Sequence, residues 1–303
     1  MLSTQAKALL ALIATVVVWG ITPVFARTVS LALGPYDALV VRLIAGALIY
    51  MILLAATTGF RFPREDVPRL LLVTFLGFFL YFLFSVFGFA YAPAGIGTLI
   101  MSSQPILIGL IAWSIGAERI TAMTIVGLLV SFAGSVLLVW GDDVGVASAA
   151  KSDVLLGCGL IFLASLGWAF FVVFSRPLAQ KHGAVKIAGL TNILMAIPLL
   201  PFARADMPAK ILNLPFNALF GFVILTTVGS LSAIGWNYAA ARLKPSVLGA
   251  SLYVMPVVAV SAGWLILHEA VTPQILLGAV VILAGVALSQ IRMSPTQNAK
   301  VQT

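Results

Sequence analysis

Residues 116–134 read GAERITAMTIVGLLVSFAG, and residues 268–285 read HEAVTPQILLGAVVILAG. Laid over each other at a constant offset of 151, they place Glu118 on Glu269, Gly127 on Gly278 and Gly134 on Gly285, and the same offset carries Pro105 onto Pro256. Nearer the N-terminus the offset is 149, with Trp19, Phe25 and Arg27 falling on Trp168, Phe174 and Arg176. Tyr91 falls on Tyr238 at 147, so about four extra residues, one helical turn, enter the second copy before Pro256. The chain reads as a tandem duplication with halves 1–145 and 146–303, joined by the polar stretch 141–153.

Composition sets the solvent of both halves. Of 303 residues 62% are hydrophobic and 9% are charged, against roughly 25% charged in a soluble domain. A globular fold could not cover its surface with so little polar material, whereas lipid asks for none. A spanning helix uses about 20 residues. Apolar runs bounded by charges or by turn-forming Gly and Pro lie at 7–28, 36–58, 69–91, 95–115, 120–140, 153–175, 185–203, 216–239, 245–267 and 273–292. The expected fold is an all-α polytopic membrane protein of ten transmembrane helices. Five spans per copy is an odd number, which turns the second copy upside down relative to the first. Inverted five-helix repeats characterise alternating-access carriers, whose substrate site lies between the halves near the midplane. No loop has room for an independent domain, and no G-x-x-x-x-G-K-[ST] phosphate loop occurs.

Lys and Arg in the connections give the orientation. With the N-terminus inside, the inner segments hold Lys7, Arg61, Arg64, Arg69, Arg119, Arg176, Lys181, Lys186, Arg242, Lys244, Arg292 and Lys300, and the outer ones only Arg27, Lys151, Arg204 and Lys210. Both termini are expected in the cytoplasm. The net charge of +8 follows from this distribution and does not point to nucleic acid. Cys158 stands alone in an apolar run, so no internal disulfide can form. The first apolar stretch is longer than a signal-peptide core and has no convincing cleavage site, so it reads as a retained helix.

The Glu-then-helix stretches that open this section, together with Trp19-Gly20 and Arg42, resemble the signature that ends each repeat of the EamA family, in the drug/metabolite transporter superfamily. The similarity covers nearly the whole chain and occurs twice at the right period. It implies a ten-helix exporter or exchanger of small metabolites in the bacterial inner membrane, without a cofactor. Within the superfamily the sequence looks most like the YddG-type exporters of aromatic amino acids and methyl viologen.

The residues themselves carry several readings. Glu118 and Glu269 stand just before Thr121 and Thr272-Pro273, which look like helix N-caps. A carboxylate there complements the helix dipole, and this structural role outweighs gating or coupling. Gly127, Gly134, Gly278 and Gly285 permit close helix approach, as scaffold or as a dimer surface, so monomer and homodimer both stand. Pro105 and Pro256 fall near mid-span and are expected to kink their helices, freeing the carbonyls of Met101 and Leu252. With Gly20 and Pro23 they are the hinge or gate candidates.

Mid-span aromatic and polar residues are the candidate cavity lining. Trp19, Tyr81, Trp168 and Tyr253 each carry an N–H or O–H that needs a partner, and repeat-related Trp19 and Trp168 are expected to converge near the pseudo-twofold axis. Two such rings could stack on an aromatic or cationic solute; core packing is the competing role. Trp140, Trp236 and Tyr238, near span ends, read as interfacial belt. Arg42 is the one strong cation within a span, with two readings evenly placed: it snorkels outward or meets Asp37, or it binds a substrate carboxylate or organises the gate. Ser102, Ser103, Gln104 and Asn192 complete the lining, with Asn237 a weaker candidate.

No Asp, Glu or His falls at the midplane of a span, which favours facilitated export over proton antiport. A channel would want a ring of repeated polar residues. An enzyme would want convergent nucleophiles or carboxylates, and His182 and His268 fall in loops on opposite faces. No metal site is expected. The expected partners are the bilayer and a small solute, an amino acid or organic cation, with a broad-range drug or metabolite efflux carrier, proton-coupled or not, as the second reading.

Overall fold

The computed structural model describes residues 3–92, 94–139, 151–267 and 273–290, and among them every regular element is helical. Helix α1 (Thr4–Leu33) opens on Ser3, whose Oγ accepts the Ala6 N–H, and stops at Gly34. Helix α2 (Pro35–Ala56) starts on the next residue. The second copy repeats the device: Gly183 alone separates α8 (Lys151–His182) from α9 (Ala184–Ala196). Gly34 and Gly183 have φ of 85° and 86°, a region closed to most residues with a β-carbon. One glycine therefore does the work for which the apolar runs left several loop residues, and the helix before each glycine, α1 and α8, is longer than its run. The run 185–203 ends in a 3-10 stretch, Ile197–Phe202, with two prolines that cannot continue an α-helix, and the short α10 (Met207–Leu212) follows.

The third run comprises α3 (Val67–Leu72) and α4 (Leu80–Tyr91), joined without interruption by a π-helical stretch, Val73–Phe79. Its counterpart comprises α11 (Phe216–Ile224) and α12 (Ser230–Ala240), joined by π-helical Leu225–Gly229. The fourth and ninth runs are each broken in two. Helix α5 (Ala94–Met101) gives way to α6 (Gln104–Ser114) through Ser102 and Ser103, and α13 (Pro245–Leu252) gives way to α14 (Val254–Leu267) through Tyr253. The kinks expected near mid-span are thus full breaks, within one turn before each proline. Pro105 and Pro256 lie in the first turn of the following half-helix, where a missing N–H costs nothing. Each half closes on a single helix, α7 (Ala122–Val139) and α15 (Pro273–Ser289). Among the described residues seven helical stretches are long and apolar enough to cross a membrane, and three shorter helices are equally apolar.

The packing is two-fold. Helix α7 lies on α15, α2 on α9, α4 on α8, α12 on α1, α14 on α1 and α6 on α8. Exchanging the halves turns α4–α8 into α12–α1 and α14–α1 into α6–α8, and returns the other two pairs to themselves. The α7–α15 pair is antiparallel: Thr124 Oγ1 donates to the Ser289 carbonyl (3.4 Å), Ser131 Oγ to that of Ile282 (3.1 Å) and Gln274 Nε2 to that of Leu137 (3.0 Å). Gly127, Gly134 and Gly285 lie along this seam, each so near the opposing backbone that an added Cβ would fall within 3 Å of it. The small-residue face read as a possible dimer surface is thus occupied within the chain. Gly278 sits on it too, its carbonyl against Gly134.

The bundle has two unlike ends. The largest buried cluster, with Leu12, Trp168, Phe171, Trp236 and Leu248 among its members, fills the half nearest Gly183. A small one around Val29, Val41 and Phe222 lies nearest Gly34. At the Gly183 end Lys181 Nζ reaches Glu65 (2.9 Å) and Asp66 (2.7 Å), His182 Nε2 lies 2.7 Å from Asp66, and Arg176 Nε donates to the Ala240 carbonyl (3.1 Å).

Candidate functional site

Between the halves lies a cavity of about 240 Å³, walled by α1, α2, α4, α8 and α9 and by the π-helical stretches. It opens beside a second of about 270 Å³ at the broken helices, with Trp19, Tyr81, Gln104, Leu252 and Met255 common to both. The first brings together Trp19, Arg42, Tyr81, Gln104, Trp168 and Asn192, all named from sequence. The second collects Gly20, Ser102, Pro105, Tyr253 and Pro256. Asn237 lines neither; it is buried, with Nδ2 on the Ala233 carbonyl at 2.9 Å. The side chain of Pro23 and the whole of Glu269 lie outside the described residues.

The floor of the cavity is aromatic. Trp19 and Trp168, both on the lining, do converge, at 5.6 Å between ring centroids, and a third indole backs them from the core: Trp236 stacks on Trp19 at 5.1 Å and lies 5.5 Å from Trp168. Tyr81 stands 5.1 Å from Trp168. Each such pair is worth ~0.5–1.5 kcal/mol beyond the area it buries. The belt assignment of Trp236 is corrected here, since that residue is 1% exposed. The signal was present: Ser232 and Trp236 share a helical face at i, i+4, and both meet Trp19, whose Nε1 donates to Ser232 Oγ at 2.8 Å. Tyr238, two residues on, carries the Arg242 guanidinium 3.7 Å above its ring.

The polar groups are unevenly satisfied. Arg42 makes no hydrogen bond or ion pair with the described residues, and Asp37 faces Arg204 at 3.9 Å instead. Gln104 Nε2, Trp168 Nε1 and the Tyr253 hydroxyl are buried without a partner in the protein. Asn192 spends its Nδ2 on the Ala188 carbonyl at 2.8 Å. The serines at the break are used locally, Ser102 Oγ donating to the Thr98 carbonyl (3.1 Å) and Ser103 Oγ to that of Ile100 (2.7 Å). Arg42 is the one charged side chain lining either cavity among the described residues.

Glu118 has a different task from the one its neighbours in sequence suggest. Thr121 does cap α7, accepting the Thr124 N–H at 3.1 Å. The Glu118 carboxylate instead accepts the backbone N–H of Ser246 at 2.9 Å and the Ser246 hydroxyl, with Lys244 Nζ 3.9 Å away. It caps α13, in the other half of the chain. A local reading could not see this, because the partner lies 128 residues on.

Comparison with known proteins agrees with this architecture. The model of the EamA-like transporter family matches residues 6–140 and again 155–290. A probable terminal-alkyne amino-acid exporter of Streptantibioticus cattleyicolor is 27% identical, covering 93% of each chain. A probable amino-acid metabolite efflux pump of Salmonella typhimurium is 24% identical over 94% of this chain and 95% of its own. An uncharacterized transporter of Archaeoglobus fulgidus is 26% identical over 75% and 79%. A solved crystal structure shares the fold with a TM-score of 0.76 over 93% of this chain and 96% of that one, at 20% identity.

Proposed function

The chain belongs to the EamA-like transporter family, and from that premise we propose that it exports small amphipathic metabolites, amino acids with aromatic side chains among them, by alternating access at the cavity between its halves. The observation that carries this reading is the pair of repeat-related indoles, Trp19 and Trp168, beside an unpaired Arg42 in a cavity bounded by both copies. A planar apolar side chain fits the first feature and a charged head group the second. The names of the amino-acid exporter and the efflux pump support the same class.

Ten crossings arranged as inverted copies, 1–145 and 146–303, with both termini in the cytoplasm of a bacterial cell, complete the reading. The antiparallel α7–α15 pair supports the inversion, since those helices are repeat mates. The Gly183 end then faces inward and is closed by the large core and by the Lys181, His182 and Arg176 contacts. Opening would separate these and close the lightly packed Gly34 end, with the half-helix breaks and π-helical stretches as the segments that yield. Methionines 101, 195 and 255 in the walls favour a second reading, a broad-range efflux carrier, because thioether side chains adapt to unlike solutes.

Reconstituted vesicles test both. Saturable counterflow of labelled phenylalanine, competed by other amphipathic amino acids, is expected. Flux of quaternary amines at comparable rates would favour the broad carrier, and no saturable flux of either would end the proposal.

A further inference from the structure

We infer that the cavity reads the carboxylate of its solute and is indifferent to the amine, so that arylalkanoic acids lacking an amino group occupy it as well as amino acids do. This rests on the transporter reading above and sharpens it.

The reason is the sign of the polar groups on offer. Arg42 brings a permanent positive charge with no counter-ion among the described residues, and no acidic side chain lines either cavity there. A guanidinium left bare in a low-dielectric wall is costly unless something anionic meets it, and its planar fork matches a carboxylate. Two further lining groups are donors with nothing to donate to, Gln104 Nε2 and Trp168 Nε1, on residues 8% and 5% exposed.

The acceptors on offer to an ammonium are all uncharged: the amide oxygens of Asn192 and Gln104, the Thr22 hydroxyl, and the Met101 and Leu252 carbonyls left without a helical donor by Pro105 and Pro256, while those of Gly229 and Ser230 are already engaged by Ser232 Oγ (2.6 Å) and by the Tyr50 hydroxyl (2.7 Å). A cation entering the site would stand beside Arg42 with no neighbouring charge to offset the repulsion. The apolar remainder of the solute would lie on Trp19, Phe82 and Met255.

Three probes of one shape decide it: phenylalanine, 3-phenylpropanoate and phenethylamine, each competing against labelled phenylalanine in vesicles containing the full chain. The acid is expected to compete within a few-fold of the amino acid and the amine roughly 10- to 100-fold more weakly, the span of one charge-assisted hydrogen-bonding site. Arg42→Gln should erase the preference for the acid over the amine, and Arg42→Lys should keep part of it. The amine competing as well as the acid overturns the inference while leaving the transporter reading intact; saturable phenylalanine flux failing altogether overturns both. Should Arg42→Gln not fold, the three-probe comparison on the unaltered protein decides alone.

Discussion

Trp19 and Trp168 occupy equivalent places in the two copies and meet edge to face, planes at 70°, but only Trp19 has its N–H satisfied, by Ser232 Oγ at 2.8 Å. Duplication gave one residue twice, and the fold has made the two sites chemically different. Alanine at either position is expected to lower uptake in vesicles, and undiminished transport in both would remove the indoles from the site. Stability should separate them. Trp168→Ala empties a core position and should cost ~3–5 kcal/mol, whereas Trp168→Phe removes an unpartnered donor and should cost far less. Thermal melts in detergent provide the comparison.

Glu118 is expected to act as a clasp between the halves. Glu118→Ala leaves the first turn of α13 without its acceptor and should destabilise by ~1–3 kcal/mol. Glu118→Gln keeps one acceptor oxygen and should lose about half as much. Equal melting temperatures for all three proteins would show the contact to be idle.

Glycines in this chain should divide sharply by what faces them. Gly127→Ala drives a Cβ into the backbone of α15 and should destabilise by more than 2 kcal/mol, roughly the cost of overpacking. Gly159→Ala meets nothing within 4 Å and should stabilise by up to about 1 kcal/mol through helix propensity. Comparable effects of the two substitutions would contradict the seam.

Pro105→Ala tests the half-helix break as a moving part. In the first turn of α6 the ring removes no needed hydrogen bond, so the melting temperature should hold while the break heals into a straighter helix and the transport rate falls. An unaltered rate would make Pro105 a passive feature.

An imposed pH gradient should leave the rate of phenylalanine flux unchanged, because no carboxylate or imidazole lines the cavities among the described residues. Acceleration by the gradient would move the search for a proton carrier to Glu118 or Asp37.

Much of this was legible in the sequence because lipid makes hydropathy and parity informative. Offsets of 149 and 151 paired residues that the structure relates by its two-fold packing, and Trp19, Trp168, Arg42 and Gln104 were placed on one cavity from their depth in apolar runs. Two kinds of feature escaped. Backbone irregularities were one: the π-helical turns at Val73–Phe79 and Leu225–Gly229 have no compositional mark, and the interruptions expected at Pro105 and Pro256 are full breaks between half-helices. Contacts across the duplication were the other. Glu118 caps a helix of the second copy, and Trp236 is held inside by Trp19, and neither fact is written near the residue concerned.

Single-span proteins in a bilayer find one another through faces like that of α7, and such association weakens as lipid dilutes them. Here the complementary face is α15 of the same polypeptide, held backbone to backbone at Gly127, Gly134 and Gly285. The tether sets a fixed effective concentration for the pairing, so dilution into excess lipid leaves it intact. Sliding the pair by a residue would drive side chains into the glycine contacts, so the proposed alternation of access has to keep its register. The duplicated chain thus carries its own assembly partner.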